Sequence, residues 1–310
     1  MRSNVDLAFG YPGRRRAPRN GERVTIQGRE LGRRLREAQL AARLDGIVLS
    51  RALGLSPTLI SRMMTGKLVP NLIEAAGLLA LCKVSGAARD RILDLCHPRH
   101  DMGALRLSDG AQWEAFLHHA DEAFRLTEYQ PTVIPWLAQT KEYTEAALNA
   151  TTTMTVGATG VMLSPPRTRL DSDPVAARQR ATLLPASLEK TELVVHEWAL
   201  RAPIGDQAVR RDQMRYLLRM SKSAKVSVWV IPASCPPPVT ALSGFTILDF
   251  ADLPSLVYQE EPTSGVFLDE PGQVTAYRRI VAQFDQIVLD QRRSRELLEQ
   301  IASAPVAVPS

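Results

Sequence analysis

The chain has 310 residues, 45% hydrophobic and 23% charged, a globular composition with apolar material for one large core or two ordinary ones. Collagen, coiled coil and wholesale disorder are excluded, and Pro232, Pro236, Pro237 and Pro238 break the longest uncharged stretch of interest, Val226 to Leu248, so no membrane-spanning helix is expected. The net charge of +5 is unevenly placed: residues 1–70 hold 14 Lys and Arg against 5 Asp and Glu, whereas the other 240 hold 24 against 28.

A field concentrated at one end favours a polyanion such as DNA, RNA or an acidic membrane surface, or else it is a solvated tail that keeps the protein soluble. Arginine supplies nearly all of it, which points to phosphate, because a planar guanidinium binds two oxygens at once. The first residues carry no apolar signal core, so a cytoplasmic, nucleoid-associated protein is expected. Cys82, Cys96 and Cys235 show no C-x-x-C spacing and read as reduced, structural thiols.

Residues 1–28 are rich in Arg, Gly and Pro without periodicity and read as a disordered basic arm. Residues 29–96 read as five short helices. Leu31, Leu35, Ala38 and Ala42 repeat at helical spacing, and Arg33, Arg34, Arg36 and Arg43 occupy the other faces. Asp45-Gly46 ends that helix, and Ile47 to Leu53 form a second. Ser56-Pro57, a capping residue before a proline at the first helical position, opens a third that Gly66 stops. Pro70-Asn71 opens a fourth, and Ser85 is expected to cap a fifth.

Residues 97–110 are polar and are the candidate linker. From 111 to 304 the text turns mixed. Gln112 to Thr127 reads as an amphipathic helix. Glu192–Val195, Val226–Ile231, Gly244–Phe250 and Leu256–Glu260 read as strands. Helices are expected around Lys141–Leu148, Pro174–Leu184, Asp206–Met220 and Gly272–Leu298. Thr151 to Pro166 is uncharged and Thr/Gly/Pro-rich, and is expected to be a flexible insertion. Residues 305–310 are a tail. The fold class is therefore a mainly α five-helix N-terminal domain followed by a mixed α/β C-terminal domain.

Gly46 to Thr65 fits a helix-turn-helix. Ser50 is the small residue at the helix crossing, and Gly54 tolerates positive φ at the turn. Leu49, Leu53, Leu55, Ile60 and Met63 fill the wedge between the helices. The second helix then offers Thr58, Ser61 and Arg62 to base edges in the major groove, with Ser56 and Lys67 near phosphates. Arg33, Arg34, Arg36 and Arg51, together with Lys67, are the expected phosphate clamps.

The stretch Leu49 to Ser56, Ile60 to Lys67 and Pro70 resembles the helix-turn-helix of Xre/Cro-type repressors. It departs from that pattern at Gly46, where the family usually has a phosphate-touching Gln, and at Met64, where it often has Glu. The C-terminal text resembles the DUF5753, or Scr1-antitoxin-like, domain of actinomycete regulators. The matching residues are Tyr129, Ile134-Pro135, Gln139-Thr140, Tyr143, Ala177 to Arg180, Glu197 to Arg201 and Tyr258 to Glu260. This resemblance implies double-stranded DNA as partner, a homodimer, and a C-terminal domain that senses a ligand or holds a small DUF397/Scr1-like protein. An adaptor that mainly sequesters that small protein is the alternative it leaves.

Candidate ligand- or partner-binding residues in the second domain are Tyr129, Trp136, Gln139, Tyr143, Arg178, Glu197, Arg201 and Glu260. His196-Glu197 with Glu260 could serve acid–base chemistry, but no phosphate loop or nucleophile elbow accompanies them, so a non-enzyme without cofactor or metal is expected. His118 and His119 are adjacent on a helix and are expected to point apart, unable to share a metal.

Overall fold

The computed structural model describes residues 24–97, 104–108, 111–159, 185–237, 241–261 and 264–303. Most of the basic arm, the helix expected at Pro174–Leu184 and Arg178 lie outside them. The chain divides into two compact units, one holding the N-terminal helices with Leu268–Glu270, the other holding residues 106–267 and 271 onward.

The first unit is all helical: α1 (Ile26–Ala41), α2 (Gly46–Leu53), α3 (Pro57–Met64), α4 (Leu72–Leu81) and α5 (Gly86–Asp94). The caps follow from the sequence. Asp45 accepts from Ile47 N, and Ser56 accepts from Leu59 N ahead of Pro57. Asn71 and Glu74 exchange both bonds of a capping box. Ser85 occupies the cap position of α5 but makes no side-chain cap bond. α1 begins at Ile26, capped by Thr25, so the helix starts inside the segment expected to be arm. Leu31, Leu35, Leu49, Ile60, Met63, Leu78 and Leu79 form the core.

The second unit is built on a seven-stranded sheet in the order β1-β7-β6-β5-β2-β3-β4. Its strands are β1 (Ala104–Ser108), β2 (Arg125–Gln130), β3 (Lys190–His196), β4 (Val226–Ile231), β5 (Phe245–Asp249), β6 (Leu256–Glu261) and β7 (Ser264–Leu268). β2, β3 and β4 run parallel, and β5 pairs antiparallel with both β2 and β6. The helices are α6 (Ala111–Glu122), α7 (Lys141–Thr159), α8 (Glu197–Arg201), α9 (Gln207–Met220), α10 (Pro271–Phe284) and α11 (Gln291–Ser303).

Several expectations are corrected here. The helix read to Thr127 ends at Glu122, and Arg125–Gln130 is instead a central strand with every residue buried. Because both of its faces are covered, no alternation of apolar and polar residues marks it. The expected linker contains β1, which adds to the sheet beside β7. Thr151 to Thr159 continue α7 rather than forming an insertion. The single long C-terminal helix is two, separated at Asp285–Asp290, where the Ser294 hydroxyl donates to Leu289 O and accepts from Val230 N.

Candidate functional site

In the first unit the turn between α2 and α3 is fixed by local bonds. Gly54 sits at φ 66°, ψ 22°, and no atom lies within 4 Å of where its Cβ would be, so it is the backbone conformation, not space, that requires glycine. Leu55 N donates to Ser50 O at 3.1 Å, and Ser50 Oγ donates to Leu55 O at 2.6 Å. A larger residue at 50 would lose this second clasp across the crossing. Leu49, Ile60 and Met63 are buried in the wedge, and Leu53 and Leu55 are half-buried.

The third helix turns a polar face outward. Thr58, Ser61 and Thr65 are exposed and Arg62 half-buried, at spacings of three, four and seven residues along one face. Ser56, Arg51 and Lys67 are exposed as well. α3 carries no acidic residue, so its N-terminal dipole adds to a positive surface.

The arginines of α1 divide differently from expectation. Arg33 Nη2 and Arg34 Nε donate to the Glu30 carboxylate at 2.6 and 2.7 Å, and Arg33 also reaches Glu37. Glu30 is fully buried and the Arg33 side chain only 8% exposed, so Arg33 is a structural cation rather than a phosphate clamp. Burial would raise the Glu30 carboxyl, but the hydrogen bonds and charges of Arg33 and Arg34 outweigh it and hold the group low. Arg34 is 25% exposed. Arg36 is exposed and donates to Met64 O at 3.0 Å, tying α1 to the end of α3. Met64 itself is buried, so the apolar residue in the family's glutamate position packs inward.

In the second unit most of the expected ligand residues are framework. Gln139 donates to Ile134 O and accepts from Thr144 Oγ1, while Gln213 donates to Ala138 O and accepts from Thr140 N. Together they lock the turn that contains the short 3-10 segment Trp136–Ala138. Tyr143 accepts from Ile134 N in the same turn, and burial pushes its hydroxyl up to about 12. Tyr129 is fully buried against Phe245 and Phe284.

Glu197 pairs with Arg201 at 2.7 Å and accepts from Ala233 N, a local surface arrangement. His196 Nδ1 accepts from Trp198 N, so its Nε2 is the protonated nitrogen and donates to Cys235 O at 2.8 Å. Glu197 follows β3 and Glu260 lies on β6, three strand spacings apart in the sheet. At about 4.8 Å per spacing that is roughly 14 Å, too far for the two carboxylates to flank one reacting bond.

Two groupings were not foreseen. Glu128, in the middle of β2, is fully buried. Its Oε1 accepts from Trp136 N at 2.6 Å and Gln130 Nε2 at 3.3 Å, and the Leu137 N–H also acts on the carboxyl, whereas Oε2 meets no donor of ordinary hydrogen-bond geometry among the described residues. Burial, aided by the charge of Glu260, pushes the carboxyl up to about 7. The glutamate was hidden because its strand was read as the end of a helix. Second, the expectation that His118 and His119 cannot share a metal overlooked Glu122, which faces both from one helical turn away. His118 Nε2 lies 3.5 Å and His119 Nδ1 4.0 Å from its carboxylate, and the three ligand atoms lie within 4.8 Å of one another. These are the residues that can gather around a divalent ion among those described.

The five-helix unit with its capped, polar-faced third helix is a helix-turn-helix domain, and a family model described as "Helix-turn-helix domain" matches residues 30–92. A second model, described as "Domain of unknown function (DUF5753)", matches residues 113–300. That match spans more than half of the chain, so the protein belongs to the DUF5753 family and carries an N-terminal helix-turn-helix domain. No curated protein matches the chain. Among the described residues no helix is long and apolar enough to cross a membrane.

Proposed function

We propose that the protein is an Xre-type, sequence-specific regulator that inserts α3 into the major groove of duplex DNA. The supporting observation is the outward face of α3, where Thr58, Ser61 and Arg62 lie side by side at the end of the chain that holds the excess positive charge. Thr58, Ser61 and Arg62 read base edges. Ser56, Arg51, Lys67, Arg36 and Arg34 contact phosphates, and Arg33 is left to hold α1. The remainder of the chain carries a slight excess of acidic residues, and its sheet domain serves regulation, by sensing a ligand or holding a small partner protein.

A single head of this size buries too little surface for tight specific binding, so a homodimer on two half-sites about one helical turn apart is expected. The arm 1–28, the head 29–96, the junction 97–110 and the regulatory domain 111–304 are the functional divisions of such a molecule, acting in the cytoplasm at the nucleoid. The experiment is to capture genomic fragments with the full-length protein, sequence them, and titrate the enriched site at several salt concentrations. A shared motif and a steep fall of affinity with salt are expected. No enrichment, with salt-independent affinity, overturns the reading.

A further inference from the structure

We infer that Asp269 is a positioning residue for the DNA-reading helix: it caps the first turn of α1, and through that turn the state of β7 reaches α3. This names a route for the regulation proposed above, and it rests on that reading only for its consequence at DNA.

A helix leaves its first N–H groups without acceptors of its own, and two side chains serve those of α1. Thr25 Oγ1 accepts from Gly28 N at 3.1 Å, within the turn itself. The N–H of Ile26 is donated instead to Asp269 Oδ2, at 2.6 Å and across 243 positions of sequence. Both residues are buried, Ile26 at 2% and Asp269 at 3% exposed. The first turn of α1 holds no acidic residue, so Asp269 also brings the negative group that the positive end of a helix favours.

Asp269 lies in the short link between β7 and α10. Leu268–Glu270 belong to the helical unit, although the DUF5753 match runs through them. Two residues earlier Phe267, on β7, is fully buried and packs against Tyr258 and His119. Two residues of chain reach at most about 7 Å, which leaves little slack between the strand and the cap. Pro271, which opens α10, restricts the link from the other side.

From the cap the effect runs to α3 through backbone. Gln27, beside Ile26, donates from Nε2 to Leu95 O and His97 O, both at 2.7 Å, which ties the same turn to the end of α5. Gly28 lies against the turn that follows α3, and a Cβ on it would stand 2.6 Å from Gly66 O. Backbone against backbone has no side chain to absorb a shift, so a change in the pose of the first turn of α1 passes to the end of α3. A cap from a neighbouring residue would hold α1 as well but report nothing. A cap from beyond β7 makes the pose of the reading helix depend on that strand.

The test uses the full-length protein, the enriched duplex and an unrelated duplex. The readouts are hydrogen exchange over residues 24–32 and the ratio of the two affinities, with the active fraction counted by stoichiometric titration. Asp269→Ala is expected to speed exchange in the first turn of α1. It is also expected to lower preference for the enriched duplex by about 5-fold, the ratio that corresponds to one lost cap bond. The salt slope stays as in wild type, because no phosphate contact is removed. Asp269→Asn keeps an acceptor oxygen and is expected to restore both readouts, since Asn caps a helix as well as Asp. Phe267→Leu, a change within the sheet, is expected to lower the preference by itself and to add nothing to Asp269→Ala. Unchanged exchange or preference in Asp269→Ala, a loss confined to the active fraction, or a Phe267→Leu effect that adds to that of Asp269→Ala overturns the inference. Wild-type protein with no preference between the duplexes sinks the regulator reading instead, and exchange in the α1 turn then still decides the cap.

Discussion

Gly66, in the turn that ends α3, lies backbone to backbone against Gly28 of α1: a Cβ on Gly66 would stand 2.5 Å from Gly28 O, and one on Gly28 would stand 2.6 Å from Gly66 O. Gly32, one helical turn on, presses against the same loop, its missing Cβ 2.6 Å from Gly66 N and 2.9 Å from Met64 O. Arg36, one turn further, hydrogen-bonds Met64 O. A single stripe of α1 thus grips the C-terminal end of α3 and sets its tilt, which is what a groove-reading helix needs from its neighbour.

Gly32→Ala is the cleanest probe of that grip. At an ordinary helical position the change gains up to about 1 kcal/mol of helix propensity. Here the new methyl meets backbone that has no rotamer to escape into, and overpacking of this kind costs on the order of 1–3 kcal/mol. The expected outcome is a lower melting temperature for the helical head and weaker DNA binding, read by circular dichroism and by titration. A variant as stable as wild type, or more so, would show that the helices separate without cost.

The arginines separate by role. Arg62→Ala should weaken binding to the enriched site by about 1–3 kcal/mol and relax preference at one base position. Lys67→Ala should weaken all sequences evenly and lower the salt slope by about 1. Arg33→Ala should leave that slope unchanged and instead destabilise the head, since its guanidinium is spent on Glu30 and Glu37. Salt-series titrations of the three variants decide between these outcomes.

The head was legible in the sequence because its signals are local. Ser56-Pro57, Pro70-Asn71 and Gly54 each mark a helix end within a few residues, and the structure keeps all three. The sheet was legible only where strands are apolar runs, as in Val226–Ile231. Arg125–Gln130 escaped because its polar residues are satisfied by strands and turns distant in sequence: Arg125 by Glu192, Glu128 by Trp136 N. For the same reason the aromatic residues singled out beforehand proved mostly framework, whereas the buried carboxylate beside Trp136 passed unnoticed. Arg33 shows the converse error. An arginine-rich helix face looks like a phosphate surface until a glutamate three residues earlier turns out to be buried beneath it.

Glu128 and Glu30 impose opposite pH dependences. Glu30 is held low, so the stability it lends the head is present at neutral pH and lost as pH falls through the carboxylate range. Glu128 rises from 4.5 to about 7 in the fold, so the native state binds a proton that the unfolded chain has already released. Stability therefore falls as pH rises between those values and is level above them. At about 1.4 kcal/mol per pH unit this amounts to something on the order of 3 kcal/mol. Glu128→Gln should match wild type below about pH 4.5, exceed it increasingly up to about pH 7 and keep a constant margin above that, in urea titrations. A difference that does not change with pH would mean that Glu128 is solvated.

Arg125 and Glu192 make a buried ion pair in the sheet, with side chains 4% and 2% exposed and Nη2 to Oε2 at 2.5 Å. Lys190 holds the other carboxylate oxygen at 2.9 Å, and Thr127 Oγ1 lies 3.4 Å from the first. Removing Arg125 takes away its two hydrogen bonds and leaves the buried Glu192 carboxylate to Lys190 and Thr127, so Arg125→Met should cost about 3 kcal/mol, the low end for a broken buried pair. Arg125→Met with Glu192→Met removes both charges and should recover much of that loss, since the pair's own desolvation disappears with it. A double-mutant cycle by chemical unfolding measures the difference. If the single variant were as stable as the double one, the interior around Arg125 and Glu192 would have to be wet.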